Sequence, residues 1–215
     1  MKFDFLIFDL DGTVIDSQED VAHALNRLLG DFQIAPLSRE VVRTHVGYGV
    51  KPLLETALAE KGIQDIDSAF SSFTNYYLEN CVRETKLFDH VAQTLVQLSG
   101  FKKVVLTNKS NRFIEKILTG LGISQHFVGS YGRESFAKMK PDPLPILSIL
   151  EIHGAKKERT LMIGDTETDV LAGQSAGVAT CLVNYGYGRP DALKRLSPTF
   201  TIGSFRDLVP LLANK

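Results

Sequence analysis

Hydrophobic residues recur with two spacings along this chain, one typical of buried strands and the other typical of helices. Short apolar runs that end in turn residues lie at residues 3–8, 104–106, 127–128, 161–163 and 178–183. Between these runs, from about residue 85 onwards, apolar residues recur at the i, i+3 and i+4 spacing of amphipathic helices. This alternation of strand and helix predicts an α/β fold with a doubly wound parallel sheet.

A different pattern fills the stretch from residue 15 to residue 84. Helical stripes of apolar residues begin there at Val21 and Ile66, among others, and we assign no strand to this stretch. We therefore expect an α/β core made of residues 1–14 and 85–215. An all-helical insertion over residues 15–84 would join this core through short hinges near its two ends.

Polar side chains follow several of the predicted strands at the point where each strand ends. They are Asp9 and Asp11, then Thr107 and Asn108, and then Asp165 and Asp169, with Lys140 in a loop before a helix. The carboxyl ends of parallel strands share one edge of the sheet, which is where ligands bind in open α/β folds. We therefore expect these groups to converge, and Gly12 would allow the backbone to approach a ligand closely.

The charges in this group favour a metal ion and a phosphate. Two carboxylates held about 4 Å apart repel each other by roughly 4 kcal/mol at an effective dielectric constant near 20. Asp9, Asp11 and Asp165 would be relieved of this repulsion by Mg²⁺, which binds carboxylate and phosphate oxygens. Lys140 and Thr107 are suited to bind phosphate oxygens. The predicted chemistry is therefore phosphoryl transfer.

Composition excludes several other classes of protein. The formal net charge of −1, with 44% hydrophobic and 23% charged residues, gives no reason to expect a nucleic-acid or membrane partner. Cys81 and Cys181 are too far apart to suggest a zinc site, and we expect both to be buried free thiols. Because neither a signal peptide nor an apolar stretch of membrane-spanning length is evident, a cytoplasmic location is expected.

The polar clusters resemble the four motifs of the haloacid dehalogenase superfamily of phosphohydrolases. The first motif is similar to residues Asp9-Leu10-Asp11-Gly12-Thr13 and the second to Thr107-Asn108. The third is similar to Lys140-Pro141 and the fourth to Gly164-Asp165-Thr166-Glu167-Thr168-Asp169. The resemblance covers essentially the whole chain and implies a Rossmann-like core, with the helical insertion forming a cap domain.

The resemblance also implies a role for each matching residue. Asp9 would be the nucleophile that forms an aspartyl-phosphate, and Asp11 would be the general acid and base. Mg²⁺ would be held by the Asp9 carboxylate, the Asp11 backbone carbonyl and Asp165, with Asp169 supporting these ligands. The phosphate-binding residues would be Gly12, Thr107, Asn108 and Lys140.

Within the superfamily, three segments are similar to the phosphoglycolate phosphatases: Arg43-Thr44-His45-Val46-Gly47-Tyr48-Gly49, Leu106-Thr107-Asn108-Lys109 and Asn184-Tyr185-Gly186-Tyr187-Gly188. The expected substrate is accordingly a small phosphate ester, most simply 2-phosphoglycolate, and the loop at Gly47-Tyr48-Gly49 is a candidate substrate loop. A pyrophosphatase, a 5′-nucleotidase, a sugar phosphomutase and a phosphate-binding protein without activity remain alternatives. A monomer and a homodimer are both compatible with the sequence.

Two positions depart from the pattern of the superfamily. Leu87-Phe88-Asp89-His90 stands where many relatives have a Pro-Gly turn, at the second hinge of the helical insertion. Met139 stands where a glycine commonly precedes the lysine of the third motif, so Lys138 is an alternative to Lys140. Because Pro141 follows Lys140 directly, Lys140 is the preferred assignment.

Overall fold

A six-stranded sheet, in which every neighbouring pair of strands is parallel, organises the molecule, and its strand order is β5-β4-β1-β6-β7-β8. The computed structural model describes residues 3–43, 50–59 and 62–213. The strands are β1 (Phe5–Phe8), β2 (Ile15–Asp16), β3 (Lys86–Leu87), β4 (Lys102–Leu106), β5 (Gly129–Tyr131), β6 (Thr160–Gly164), β7 (Ala179–Val183) and β8 (Phe200–Ile202).

Ten α-helices lie in the described ranges. They are α1 (Gln18–Asp31), α2 (Arg39–Arg43), α3 (Lys51–Ala59), α4 (Ile66–Asn80), α5 (Val91–Gln97), α6 (Asn111–Gly120), α7 (Leu144–His153), α8 (Glu167–Ala176), α9 (Pro190–Leu193) and α10 (Leu208–Ala213). Short 3₁₀ helices lie at Ser124–His126, Lys157–Arg159 and Phe205–Asp207. No helix in these ranges is long and apolar enough to span a membrane.

The sheet is buried on both faces, as a parallel sheet requires. All four side chains of β1 are buried, and successive residues point to opposite faces. Phe5 and Ile7 pack with apolar residues of α7 and α8, whereas Leu6 and Phe8 belong to the larger cluster on the other face. The expected α/β fold with a doubly wound, Rossmann-like parallel sheet is therefore confirmed.

Strand β1 lies at the point where the strand order reverses. Its neighbours are β4 on one side and β6 on the other, and these strands come from distant parts of the chain. The crevice beyond the carboxyl ends of the strands at such a reversal is the usual ligand site of open α/β sheets. Residues that follow β1, β4 and β6 are therefore brought together there.

The helical insertion leaves and rejoins the sheet through a short antiparallel pair. Ile15 of β2 faces Leu87 of β3, and Asp16 faces Lys86. The sequence analysis assigned no strand from residue 15 onwards, so β2 is a small correction, because two residues carry no periodicity of their own. Between residues 17 and 85, the described part of the chain contains helices and no strand. The boundaries of the core and the insertion stay predictions.

Two further differences concern the edges of the sheet. The strand predicted at residues 127–128 lies instead at β5, and Val128 is 59% exposed. The apolar character of Phe127 reflects contact of its ring with Phe8, at 6.2 Å between centroids. Strand β8 was not predicted, because three residues at an edge are too few to show a pattern.

Candidate active site

The turn after β1 places Asp9 and Asp11 at the reversal of strand order. The backbone N–H of Asp9 still donates to Ile163 of β6 at 2.8 Å, so Asp9 is fixed as an extension of the sheet. Gly12 follows with φ +85°, and a Cβ atom there would lie 2.2 Å from Oδ2 of Asp165. Only a glycine allows the turn to approach this second carboxylate so closely.

Three buried carboxylates meet at this edge. Single oxygens of Asp9, Asp165 and Asp169 lie within 4.8 Å of one another, and these residues are 4%, 0% and 1% exposed. Burial, with the charge of Asp169, raises the pKa of Asp9 to about 7 despite the opposing effect of Lys140. Burial and the neighbouring carboxylates also raise the pKa of Asp165 well above its usual range. The cluster is thus short of positive charge.

Lys140 supplies one positive charge to the cluster. Its Nζ donates to Oδ1 of Asp9 at 2.7 Å, to Oδ1 of Asp169 at 2.6 Å and to the backbone carbonyl of Leu106 at 2.8 Å. Burial would lower the pKa of this ammonium group, but the two carboxylates raise it above its usual value. Lys138 is exposed and pairs with Asp142 instead. The geometry therefore favours Lys140 over Lys138 for the third motif.

Asp169 is held by the start of α8. The backbone N–H and the hydroxyl of Thr166 both donate to its Oδ2, at 3.0 and 2.7 Å. The first of these bonds and the one from the Asp169 backbone N–H to the Thr166 side chain form a capping box. A Cβ atom on Gly164 would lie 2.2 Å from the Asp169 carboxyl carbon, so the close approach requires a glycine. Asp169 thus combines a structural role in the helix with its contact to Lys140.

Thr107 and Asn108 follow β4 as predicted and lie beside Lys140 and Asp11. The side-chain amide of Asn108 donates to the Lys140 carbonyl at 3.0 Å, which ties the loop after β4 to the loop carrying Lys140. Thr107 is 3% exposed, and its hydroxyl accepts from the backbone N–H of Lys109 at 3.2 Å. The structure thus brings the segments of all four motifs together, whereas the catalytic roles of their residues stay predictions.

Lys109 is a site residue to which the sequence analysis gave no role. Its Nζ donates to Oδ1 and Oδ2 of Asp11 at 2.9 and 3.0 Å, and the hydroxyl of Ser17 donates to the same Oδ1. The ammonium group also lies 4.7 Å from the ring centroid of Tyr77 in α4. Burial would lower the pKa of Lys109, but the charge of Asp11 and the Tyr77 hydroxyl raise it. The only sign of its importance in the sequence analysis was its place in Leu106-Thr107-Asn108-Lys109, a segment similar to the phosphoglycolate phosphatases.

Tyr185 and Tyr187 are two further residues without a predicted role. The backbone N–H of Tyr187 donates to Oδ2 of Asp165 at 2.6 Å, and its hydroxyl donates to Oδ1 of Asp16 at 2.7 Å. The hydroxyl of Tyr185 donates to the backbone carbonyl of Thr13 at 2.8 Å. The loop after β7 therefore fixes both Asp165 and the turn after β1.

A cavity of about 220 Å³ opens beside Asp11, between the sheet edge and the helical insertion. Apolar side chains of α4, including Phe70, Phe73 and Tyr77, form much of its wall, and Thr107 and Lys109 lie on the sheet side. The candidate substrate loop at Gly47-Tyr48-Gly49 lies outside the described residues, as does the side chain of Arg43.

The donor set at the cluster fits a hard divalent cation. Every candidate ligand atom is an oxygen, and of the three buried carboxylates Asp9 and Asp169 share the ammonium group of Lys140. Such an excess of buried negative charge is unfavourable without a further cation, and Mg²⁺ prefers oxygen ligands. The arrangement therefore provides a place for a divalent ion next to the Asp9 carboxylate.

Comparison with known proteins gives matches over most of the chain. The family model for haloacid dehalogenase-like hydrolases matches residues 6–183. Phosphoglycolate phosphatase of Aquifex aeolicus is 38% identical over 211 residues, which cover 97% of this chain and 96% of that protein. Phosphoglycolate phosphatase of Colwellia psychrerythraea is 34% identical, covering 95% of this chain and 94% of that protein.

Solved structures described as predicted phosphatases also match over nearly the whole chain. A crystal structure from Haemophilus somnus, described as a predicted phosphoglycolate phosphatase, superposes with a TM-score of 0.92 and 28% identity over 98% of both chains. A protein of Clostridium acetobutylicum, described as a predicted phosphatase, superposes with a TM-score of 0.81 and 26% identity over 100% of both chains.

Proposed function

The chain belongs to the haloacid dehalogenase-like hydrolase family and is a phosphatase of that family, and we propose that it hydrolyses 2-phosphoglycolate with Mg²⁺ through an aspartyl-phosphate on Asp9. The observation that carries the proposal is the convergence of Asp9, Asp165, Asp169 and Lys140 at one edge of the sheet. The free, buried state of Cys81 and Cys181 is compatible with a reducing compartment, and we place the enzyme in the cytoplasm.

In the proposed first step, a carboxylate oxygen of Asp9 attacks phosphorus and the bond from phosphorus to the substrate oxygen breaks. Asp11, protonated on one oxygen in the substrate complex and paired with Lys109 through the other, gives that proton to the leaving oxygen, so that glycolate departs as an alcohol. In the second step Asp11 takes a proton from water, which attacks phosphorus and releases phosphate from Asp9. The covalent route divides one difficult displacement into two easier ones.

The surrounding residues position these groups. Lys140 holds Oδ1 of Asp9 at 2.7 Å, which leaves the other oxygen of that carboxylate to act as nucleophile. We assign Thr107, the backbone at Asn108 and Lys140 to the phosphoryl oxygens, with Gly12 allowing the turn to approach them. Lys140 would reach a phosphoryl oxygen by giving up one of its three present hydrogen bonds. The donors stabilise negative charge that develops on the transferred group.

Asp9, the backbone carbonyl of Asp11, and Asp165 would hold Mg²⁺, with Asp169 supporting them through Lys140 and Thr166. A bound Mg²⁺ supplies positive charge that offsets the phosphate and the carboxylates. The supporting observation is the shared position of Asp9, Asp165 and Asp169 within 4.8 Å.

The names of the relatives support 2-phosphoglycolate, because the two described above are 38% and 34% identical over most of the chain and are both phosphoglycolate phosphatases. The small cavity beside Asp11 is compatible with a small phosphate ester. Pyrophosphate and nucleoside monophosphates are the competing substrates, and each places a bulkier or more highly charged group in that cavity.

The experiment is phosphate release from 2-phosphoglycolate, pyrophosphate, nucleoside monophosphates and sugar phosphates, with Mg²⁺ and after chelation. We expect the highest kcat/KM for 2-phosphoglycolate, loss of activity on chelation and no turnover by Asp9→Asn. A matched control is Asp142→Asn, an aspartate paired with Lys138 away from the carboxylate cluster. Activity retained by Asp9→Asn would overturn the mechanism, and sugar-phosphate isomerisation without phosphate release would identify a mutase.

A further inference from the structure

We propose that Lys109 binds the carboxylate group of the substrate while it remains paired with Asp11. The inference rests on the proposed function and deepens it, because it names the residue that selects 2-phosphoglycolate over phosphate esters without a carboxylate. Lys109 is buried at the boundary between the helical insertion and the sheet edge, and it is one of the cavity-lining residues.

The first argument is the number of donors on the ammonium group. A lysine side chain carries three N–H donors. Two of them reach the two carboxylate oxygens of Asp11, at 2.9 and 3.0 Å. The third contact among the described residues is the side chain of Tyr77, whose ring centroid lies 4.7 Å from Nζ and whose hydroxyl makes no hydrogen bond of ordinary geometry. This contact is weaker than a hydrogen bond to an anion. One donor is therefore available to a ligand in the cavity.

The second argument is the shape of 2-phosphoglycolate. A single methylene carbon separates the oxygen that leaves phosphorus from the carboxylate carbon. Asp11 is the proposed proton donor to that leaving oxygen, so a group in direct contact with Asp11 also lies close to the substrate carboxylate. Lys109 meets this requirement through both of its hydrogen bonds to Asp11.

The third argument compares Lys109 with the other cations that line the cavity in the described part of the chain. Lys51 already pairs with Asp67 at 2.6 Å and its side chain is 34% exposed. Arg133 is exposed at the rim. The side chain of Lys109 is 8% exposed, and an ion pair in such a poorly solvated position is stronger than the same pair at the surface.

The hydroxyl of Tyr77 adds a related observation. It is buried and makes no hydrogen bond of ordinary geometry with the described residues, although it is near enough to Lys109 to influence that residue's pKa. A carboxylate bound to Lys109 would lie close to this hydroxyl and give it an acceptor. The pair of Lys109 and Tyr77 thus has the donors that a substrate carboxylate needs.

The test measures carboxylate recognition separately from turnover of 2-phosphoglycolate. Hydrolysis of p-nitrophenyl phosphate serves as the readout, and two inhibitors compete with it: 3-phosphonopropionate, which carries a carboxylate, and propylphosphonate, which lacks one. We expect wild type to bind the carboxylate compound about 10- to 100-fold more tightly, the range for one hydrogen bond between charged groups. Lys109→Met should bring this ratio close to one, and Lys109→Arg should restore part of it.

Lys51→Met is the matched control, because it removes a second lysine from the same cavity and should keep the ratio. With 2-phosphoglycolate itself, Lys109→Met should raise KM more than it lowers kcat. An equal loss of affinity for both phosphonates in Lys109→Met, or a ratio near one in wild type, would overturn the inference. If Lys109→Met loses a preference for 3-phosphonopropionate that wild type shows, but wild type does not hydrolyse 2-phosphoglycolate, the proposed substrate fails and carboxylate binding by Lys109 stands.

Discussion

Replacing Lys140 with methionine removes the ammonium group that links Asp9 and Asp169 but keeps most of the apolar stem. The side chain is 1% exposed, and its Nζ is 2.7 Å from one carboxylate and 2.6 Å from the other. Breaking a buried ion pair by removing one partner costs about 3–5 kcal/mol. For a chain of this length, that loss lowers Tm by roughly 6–20 °C. Lys140→Met should therefore melt clearly below wild type.

The same substitution should reduce kcat, because a proposed donor to the phosphoryl group is lost. Loss of one donor to a developing negative charge lowers kcat by about 10²–10³. The assay is phosphate release with saturating Mg²⁺ at a temperature where both proteins are folded, with thermal denaturation measured in parallel. The folded fraction can then be separated from the effect on the chemical step.

Lys138→Met is the matched control for this experiment. Lys138 lies two residues earlier in the same loop, is exposed and bonds to Asp142 at 2.8 Å. Lys138→Met should change neither kcat nor Tm appreciably. If Lys140→Met retains kcat within a few-fold of wild type, the assignment of Lys140 to phosphate binding is wrong. Equal losses of kcat in Lys140→Met and Lys138→Met would show that activity depends on the loop as a whole and not on the buried ammonium group of Lys140.

Three other perturbations test separate parts of the site. Gly12→Ala should abolish turnover and lower Tm, since its Cβ would lie 2.2 Å from Oδ2 of Asp165; wild-type kinetics would refute the close approach. Mg²⁺ at 100 times its Kd should raise stability by about 2.7 kcal/mol, measured as a Tm shift; a full shift in Asp165→Asn would contradict the proposed ligand set. Tyr187→Phe removes the hydrogen bonds of the Tyr187 hydroxyl with Asp16 and with the Ser17 N–H. It should lower the free energy of unfolding, measured by urea denaturation, by about 1.5–3 kcal/mol. An unchanged urea midpoint would show that these two hydrogen bonds contribute little.

The convergence of Asp9, Asp165 and Thr107 could be predicted from the sequence because each follows a buried strand. Parallel strands share one carboxyl edge, so the type of element was enough to place these residues near one another. Lys140 follows no strand, so its phosphate role was expected from its charge and its place in a loop before a helix, and the resemblance to a family assigned it to the third motif. The sequence preferred Lys140 over Lys138 because Pro141 follows it, and the distances from Lys140 to Asp9 and Asp169 agree with that preference.

The contacts of Lys109, Ser17 and Tyr187 could not be predicted in this way. Lys109 is 98 residues from Asp11, and the Tyr187 hydroxyl meets the backbone of Ser17 across 170 residues. Neither contact follows from a local pattern, because each depends on how the helical insertion and the loop after β7 lie against the sheet. The pairing of β2 with β3 escaped prediction for a different reason, because two-residue strands leave no periodic signal.

The antiparallel pair of β2 and β3 has a consequence for how such a chain can change over evolutionary time. Facing Cα atoms in an antiparallel pair are about 4.5–5.5 Å apart, so the backbone departs from the sheet and returns to it at nearly the same point. A segment with neighbouring ends can be lengthened, shortened or exchanged for another without moving the strands on either side. The residues between Asp16 and Lys86 can therefore diversify as a module without requiring a change in the turn that carries Asp9.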